Sequence, residues 1–171
     1  MNKNFFIGIL AAGKGARMKS DIPKVLHTLG DKAISDYVLE TAYKLDPEKI
    51  FTVVGFKKEL VINHIDNPKI EYVEQKEQLG TGHAVDMASP FLTNDEDVLV
   101  LYGDVPLTKV STLQRLIAAK PEDGMALLTV HLANPTGYGR IIRDESGKVT
   151  GIIEQKDANA EQLLVNEANT G

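Results

Sequence analysis

The chain has 171 residues, of which 43% are hydrophobic and 25% are charged, and its formal net charge is −5. This composition excludes a largely disordered protein, and the negative charge argues against a nucleic-acid or anionic-membrane surface. The chain has no cysteine, which excludes disulfides, thiolate catalysis and cysteine-ligated zinc. No stretch approaches the roughly 20 apolar residues of a membrane span, so we expect a cytoplasmic protein.

Apolar runs and helical periodicities alternate along the first 130 residues. Continuous apolar runs predict strands, and apolar residues that recur every three or four positions predict helices. This alternation favours an α/β fold with a Rossmann-like, mostly parallel sheet covered by helices on both faces. The predicted strands are 5–10, 50–54, 70–73, 98–102 and 125–130, and the predicted helices are 33–45, 59–65, 81–91 and 111–119.

The last third of the chain has a different pattern. Residues 137–142 and 149–154, joined by a turn at 144–147, predict an antiparallel pair of strands. No repeat, linker or low-complexity tract interrupts the sequence. We therefore expect residues 1–171 to form a single domain.

The first predicted strand leads directly into a loop of small residues, 11–15. Glycine in such a loop lets the backbone turn tightly and approach a ligand. A strand, a small-residue loop and a cluster of cations together predict a phosphate-binding site. The cations, which are opposed only by Asp21, are Lys14, Arg17, Lys19 and Lys24.

Two common phosphate-binding patterns do not fit this loop. The P-loop requires Ser or Thr at the position of Gly15, and its first glycine would be Gly8, which lies inside the predicted strand. The dinucleotide-binding pattern accepts Gly13 and Gly15, but its third glycine position is Met18. Both interpretations are therefore disfavoured.

The segment from 10 to 18, with Pro23 and Lys24, resembles the signature of sugar-phosphate nucleotidylyltransferases. Within that class the chain is most similar to the bacterial UDP-N-acetylglucosamine pyrophosphorylases. These are usually one half of a bifunctional protein that also carries a glucosamine-1-phosphate N-acetyltransferase. The further motifs that carry the resemblance are Gln75 and the segments 78–84, 101–107, 137–140, 154–157 and 167–171.

The resemblance implies transfer of UMP from UTP to N-acetylglucosamine 1-phosphate, with release of pyrophosphate and formation of a cell-envelope precursor. Such chemistry depends on positioning and charge neutralisation rather than on a protein nucleophile. The expected catalytic residues are Arg17, whose planar guanidinium binds two phosphate oxygens, and Lys24, held behind Pro23. The simpler alternative is that both are solvated surface cations.

Asp104 is the expected magnesium ligand, because it follows an apolar strand at the edge where open α/β sheets bind ligands. A role as a turn or helix-capping aspartate is the alternative. For the uracil base, the resemblance implies the amide of Gln75. The implied nucleotide-binding residues are Leu10, Ala11, Ala12, Gly13, Lys24, Gln75, Gly80 and Thr81.

The resemblance also implies a set of sugar-phosphate contacts, of which Tyr102 is alternatively a packing residue beneath Asp104. The implied set is Tyr102, Gly103, Asp104, Gly139, Glu154 and Asn169.

His83 is a tempting metal ligand. However, the other histidines are scattered without metal-ligand spacing, so we expect His83 to be structural or to support a residue of the site.

The chain departs from the family pattern at Ala16, where relatives usually carry threonine. The loss of one charge-assisted hydrogen bond, about 1.5–3 kcal/mol, would weaken phosphate binding. The resemblance further implies that the nucleotidyltransferase domain is incomplete at its C-terminus. A second metal ligand and a β-helix acetyltransferase domain, which would form a homotrimer, are expected beyond Gly171.

Two alternatives remain open from the sequence. One is a related enzyme that uses another base or sugar, against which the segment 80–84 argues. The other is a fragment that binds nucleotide without turning it over.

Overall fold

The computed structural model describes residues 5–15, 18–92 and 96–170. The chain divides into two compact units, Met1–Ala118 and Ala119–Gly171, here called the N-terminal unit and the C-terminal unit. Each unit contains its own main β-sheet. That the whole chain acts as one nucleotidyltransferase domain stays a prediction.

The N-terminal unit alternates strands and helices, and its main sheet is fully parallel. Its strands are β1 (Phe5–Ala11), β2 (Thr28–Leu29), β3 (Lys32–Ala33), β4 (Lys49–Val54), β5 (Ile70–Glu74) and β6 (Asp97–Tyr102), and its helices are α1 (Ile34–Tyr43), α2 (Lys58–Ile65), α3 (Thr81–Asp86) and α4 (Val110–Ala119). The order in the main sheet is β5-β4-β1-β6, while β2 and β3 form a separate small hairpin.

Successive side chains of β1 point to opposite faces of the sheet. On one face, Ile7 and Ile9 are buried against Val38 of α1 and Leu113 of α4. Helix α2 covers the same face nearer the end of β1, where Val61 packs in a cluster with Ala11. These helices bury the apolar residues that alternate along the strand.

The opposite face of the sheet is covered by α3. Phe6 and Phe51, from β1 and β4, are buried in one cluster with Ala84 of this helix. Helices therefore lie on both faces of a parallel sheet, which confirms the α/β fold expected from the sequence.

The helix predicted over 81–91 is shorter in the structure. Helix α3 ends at Asp86, and a separate 3₁₀ turn follows at Ser89–Phe91. Pro90 explains the break, because its ring lacks an N–H and would clash with the carbonyl of residue 86 in a continuous helix.

The C-terminal unit is built on an antiparallel sheet with the order β7-β10-β8-β9. Its elements are β7 (Thr129–His131), β8 (Arg140–Arg143), β9 (Val149–Ile153), α5 (Ala160–Leu163) and β10 (Glu167–Asn169). The pairing of β8 with β9 confirms the antiparallel pair expected in the last third. The strand predicted over 125–130 is limited to β7, and Met125 is exposed.

Within the residues that the structure describes, no helix is long and apolar enough to cross a lipid bilayer.

Candidate functional site

The sheet of the N-terminal unit has a topological switch point beside β1. The chain passes from β1 to β4 and β5 on one side, and then returns to place β6 on the other side. Open α/β sheets bind ligands at the carboxyl ends of the strands at such a point. A cavity of about 350 Å³ lies there, bordered by Leu10 and Ala11 from β1 and by Tyr102 from β6.

Most of the candidate residues of the N-terminal unit line this single cavity. They are Leu10, Ala11, Ala12, Gly13, Lys24, Gln75, Gly80, Thr81, Tyr102 and Asp104. The lining also includes residues that sequence reasoning did not name as candidate site residues, namely Gly15, Val25, Gln78 and Ala84.

Backbone carbonyls anchor the small-residue loop to its neighbours. The N–H of Gly103, just past β6, donates to the carbonyl of Leu10 over 2.9 Å. The carbonyl of Ala12 accepts from the backbone N–H of Phe56 at 3.1 Å and from Nε2 of Gln78 at 2.7 Å. The end of β1 is therefore held by three hydrogen bonds, one of them from Gln78 of the segment 78–84.

Gly15 allows the loop to approach Lys24 closely. Gly15 has a φ of +64°, a conformation that favours glycine, and a Cβ atom at this position would lie 2.8 Å from Cβ of Lys24. The loop and the stem of Lys24 are thus in direct contact, which leaves no room for a side chain between them.

Lys24 and Asp104 form an ion pair in the cavity. The distance from Lys24 Nζ to Asp104 Oδ2 is 2.5 Å, and the two side chains are 41% and 28% exposed. Lys24 begins the 3₁₀ turn Lys24–Leu26 directly after the buried Pro23, and Asp104 follows the end of β6. Asp97 lies at the opposite end of the same strand.

Asp104 is a suitable ligand for a magnesium ion that also binds phosphates. No cluster of three or more His, Cys, Asp or Glu side chains that could hold a metal occurs among the described residues. Mg²⁺ is commonly held by one or two carboxylates while substrate phosphates and water complete its coordination. The carboxylate of Asp104 already binds a cation, the ammonium of Lys24, so its oxygen atoms suit a magnesium ion as ligands.

Gln75 lies on the wall of the cavity, just past β5, and is 4% exposed. Its Nε2 lies 3.1 Å from the carbonyl oxygen of Gly80 and 3.0 Å from Nδ1 of His83. Its backbone N–H donates to the carbonyl of Val54 over 2.8 Å. Both the backbone and the amide of Gln75 are therefore held in place, and His83 contacts it from α3.

Two of the residues discussed from sequence, Ala16 and Arg17, lie outside the described residues. The catalytic role of Arg17 and the consequence of Ala16 stay predictions.

The three sugar-side candidates of the C-terminal unit lie close together. The carbonyl of Gly139 accepts a hydrogen bond of 2.9 Å from the N–H of Asn169. A Cβ atom at Gly139 would lie 3.3 Å from Oε1 of Glu154. The structure therefore gathers a glycine, a carboxylate and an amide-bearing residue at one place in this unit.

Arg140, which belongs to the segment 137–140 but was given no role from sequence, supports the chain beside Gly139. It is 2% exposed and donates to the carbonyl of Tyr138 and, over 2.7 Å, to Oε1 of Gln155. The same Oε1 accepts from the N–H of Gly137 at 3.1 Å. A buried arginine thus holds the turn before β8.

Glu167 fastens the sheet of the C-terminal unit. It is 7% exposed and accepts hydrogen bonds of 2.7 Å from Oγ1 of Thr129 and from Nε and Nη2 of Arg143. The guanidinium of Arg143 lowers the pKa of Glu167 to about 2, which outweighs the opposing effect of burial, and Thr129 adds to the lowering. This carboxylate links β7, β8 and β10.

The fold is shared with several solved structures. HddC from Yersinia pseudotuberculosis, complexed with GMP-PN, is 23% identical with a TM-score of 0.71 over 88% of this chain and 69% of that chain. A protein from Bacillus anthracis described as a glucose-1-phosphate thymidylyltransferase is 20% identical, with a TM-score of 0.80 over 98% of this chain and 69% of that chain. A UDP-glucose pyrophosphorylase complexed with UDP-glucose is 21% identical, with a TM-score of 0.71 over 98% of this chain and 74% of that chain.

At these identities the structures establish the shared fold alone. A family model gives the stronger assignment, because it matches residues 7–161 and so spans both the cavity and most of the C-terminal unit. A phosphate-type loop at the switch point of a parallel sheet agrees with that match. The chain belongs to the family of MobA-like NTP transferase domains.

Proposed function

We propose that the chain transfers UMP from UTP to N-acetylglucosamine 1-phosphate, giving UDP-N-acetylglucosamine and pyrophosphate. The observation that best supports a nucleotidyl transfer is the Lys24–Asp104 ion pair beside the small-residue loop, at the switch point of the sheet. A cavity with a cation, a carboxylate and a closely approachable backbone suits a triphosphate accompanied by a metal ion.

In the proposed reaction, an oxygen of the sugar phosphate forms a bond to the α-phosphorus of UTP. The bond between that phosphorus and the oxygen bridging to the β-phosphate breaks, and pyrophosphate leaves. The loop around Gly13 holds the triphosphate through its backbone, and Lys24, which lies against the loop at Gly15, neutralises phosphate charge in the same cavity. Asp104 would hold Mg²⁺, which when bound supplies further neutralisation of phosphate charge.

We assign the base to Gln75 and the region of Gly80 and Thr81, since these residues line the same cavity. We assign the sugar to Gly139, Glu154 and Asn169, whose mutual proximity within the C-terminal unit supports a shared role. Hydroxyl and N-acetyl groups need both donors and acceptors, which these residues provide.

The substrate assignment is tested by pyrophosphate release in the presence of Mg²⁺. UTP with N-acetylglucosamine 1-phosphate should give the highest kcat/KM in a matrix of UTP, dTTP, CTP and GTP against N-acetylglucosamine 1-phosphate and glucose 1-phosphate. A higher kcat/KM for another pair would overturn the substrate proposal. UTP binding in calorimetry without turnover for any pair would instead support a chain that binds nucleotide but is inactive. The homotrimer and the acetyltransferase domain that the resemblance implies stay predictions.

A further inference from the structure

We infer that His83 is a positioning residue that, together with the carbonyl of Gly80, holds Gln75 as a hydrogen-bond acceptor toward the base, and so favours uracil-type bases over cytosine. This inference rests on the proposed function, because it concerns the nucleotide that the cavity accepts. It assigns a specific task to a histidine that has no metal-ligand partners among the described residues.

The orientation of the Gln75 amide is set by the carbonyl of Gly80, and His83 takes up the second hydrogen of that amide. The carbonyl oxygen of Gly80 can only accept, so the group 3.1 Å from it must be the NH₂ end of the amide. That NH₂ end also lies 3.0 Å from Nδ1 of His83. Because the NH₂ must donate here, Nδ1 of His83 must accept, and the imidazole proton therefore resides on Nε2.

The carbonyl oxygen of Gln75 is what remains for a ligand. Both hydrogens of the amide are used by Gly80 and His83, and Oε1 has no hydrogen bond from any described residue. Gln75 is buried except where it lines the cavity. A bound base would therefore meet an acceptor from this side chain rather than a donor.

An acceptor at this position distinguishes the pyrimidine bases. Uracil and thymine carry an N3–H donor, which can pair with the Gln75 carbonyl. Cytosine carries a lone pair at N3, so the same approach would oppose two acceptors, and a buried polar contact of that kind is unfavourable. A flipped amide could serve cytosine, but it would turn Oε1 toward the carbonyl of Gly80, which can only accept, and toward Nδ1 of His83, which accepts in the tautomer assigned here.

His83 acts through Gln75 and is not among the residues that line the cavity. Helix α3 carries it on the turn after Gly80, so one short segment supplies both acceptors that orient the amide. In the segment 80–84, which argued against another base, the histidine thereby supplies a hydrogen-bond partner for Gln75.

The test compares nucleotide affinities of the wild-type chain, His83→Leu and His83→Asn by calorimetry with UTP, dTTP and CTP. Leucine and asparagine have the same branched shape, but only asparagine offers an acceptor. We expect His83→Leu to reduce the preference for UTP over CTP about tenfold, as loss of one hydrogen bond predicts. His83→Asn should keep that preference within about twofold of the wild type, because Oδ1 of the asparagine can replace Nδ1.

The ratio of UTP to dTTP affinity is the internal control, since both bases carry the same N3–H. A merely structural role of His83 would weaken all three nucleotides together and leave the ratios unchanged, which would overturn the inference. If the wild-type chain binds UTP but does not prefer it to CTP, the inference fails while nucleotide binding stands. If the wild-type chain binds none of the three, both the inference and the proposed function fail.

A second measurement does not depend on the folding of His83→Leu. In ¹⁵N-labelled wild-type chain, the imidazole of His83, assigned by its loss in His83→Asn, should show an unprotonated Nδ1 and a protonated Nε2. A proton on Nδ1 would overturn the inference, because the amide of Gln75 would then have no acceptor there.

Discussion

The ammonium of Lys24 and the carboxylate of Asp104 lie 2.5 Å apart and join positions separated by 80 residues of sequence. Both side chains are partly exposed, so this ion pair adds little to folding stability. A weak pair at the carboxyl edge of a sheet can be opened at small cost when phosphates and a metal ion enter. Each partner can then exchange the other for a group of the substrate complex.

Asp104→Asn should abolish most of the activity without unfolding the chain. In the proposed function Asp104 holds Mg²⁺, so removing the carboxylate charge should weaken metal binding, and we expect pyrophosphate release to fall about 100-fold or more. The free energy of unfolding, measured by urea denaturation, should change by less than about 1 kcal/mol. Glu40→Gln on α1 is the matched control, because it breaks the exposed ion pair with Lys32 of β3 and should leave turnover unchanged.

Lys24→Ala should lower turnover but strengthen metal binding by the nucleotide-free chain. The loss of a cation beside the phosphates should reduce kcat by about 100-fold. The carboxylate of Asp104, freed from a competing ammonium, should bind a divalent ion more tightly, as measured with Mn²⁺ by electron paramagnetic resonance. Lys32→Ala is the control, and unchanged Mn²⁺ affinity in Lys24→Ala would contradict the exchange of partners.

Gly15→Ala should weaken nucleotide binding more than the backbone strain of an alanine at positive φ alone would. The new Cβ would lie 2.8 Å from Cβ of Lys24, so either the loop or the lysine must move. We expect UTP affinity in calorimetry to fall about tenfold or more. Gly30→Ala is the control, because Gly30 has a similar φ of +68° but its nearest neighbour, Oη of Tyr37, is 3.5 Å away. Equal UTP affinity in the two variants would contradict a role in nucleotide binding for the close contact between Gly15 and Lys24.

Gly139→Ala should act on the sugar substrate alone. Its Cβ would lie 3.1 Å from Cγ2 of Ile152 and 3.3 Å from Oε1 of Glu154, so the carboxylate must shift. We expect KM for the sugar phosphate to rise about tenfold while the dissociation constant of UTP is unchanged. Gly151→Ala on β9 is the control, since a Cβ there meets nothing within 4 Å. A wild-type KM for the sugar phosphate in Gly139→Ala would contradict the assignment of Glu154 to the sugar site.

Glu167 should make stability depend on pH in acid. Its pKa falls from 4.5 in the unfolded chain to about 2 in the folded chain, chiefly through Arg143, so the unfolded state binds the proton more readily. The stabilisation is therefore complete above about pH 4.5 and is lost as the pH falls toward about 2. We expect the difference in free energy of unfolding between wild type and Glu167→Gln to shrink over that interval. A difference that stays constant from about pH 7 to about pH 2.5 would contradict this account.

The control for this pH dependence is Glu145→Gln. Glu145 is an exposed carboxylate in the turn between β8 and β9. We expect its replacement to leave the acid-dependent loss of stability in place.

The parallel sheet could be predicted from sequence because its strands are continuous apolar runs. Residues 5–10 and 98–102 have few polar side chains, as expected for strands buried on both faces. The phosphate-type loop could also be located, since small residues and cations directly follow the first run. The contact of Lys24 with Asp104, in contrast, depends on the pairing of β1 with β6 and has no local signal.

Short elements were missed for physical reasons that differ from one case to the next. The hairpin of β2 and β3 has two residues in each strand and turns at Gly30, which is too little apolar pattern to detect. Helix α5 does carry a local signal, because Asn159 and Gln162 exchange hydrogen bonds of 2.9 Å as a capping box. Its four residues and the absence of an apolar face concealed it.

The length of β7 was overestimated because its boundary is set by a distant partner. Thr129, Val130 and His131 pair with the three residues of β10, nearly 40 positions later, and residues before 129 have no such partner. Hydrophobic residues such as Met125 therefore extend the sequence pattern without extending the strand. A local pattern cannot show where a long-range ladder stops.

The position of β10 has a consequence for synthesis of the chain. Among the described strands of the C-terminal sheet, β10 is synthesised last, yet it lies between β7 and β8. Until residues 167–169 have emerged, β7 has no partner strand and β8 has only β9. Nascent chains would expose two strand edges that can pair with other molecules. Slow translation before residues 167–169 emerge would therefore prolong the exposure of these edges, and pairing with β10 would remove it.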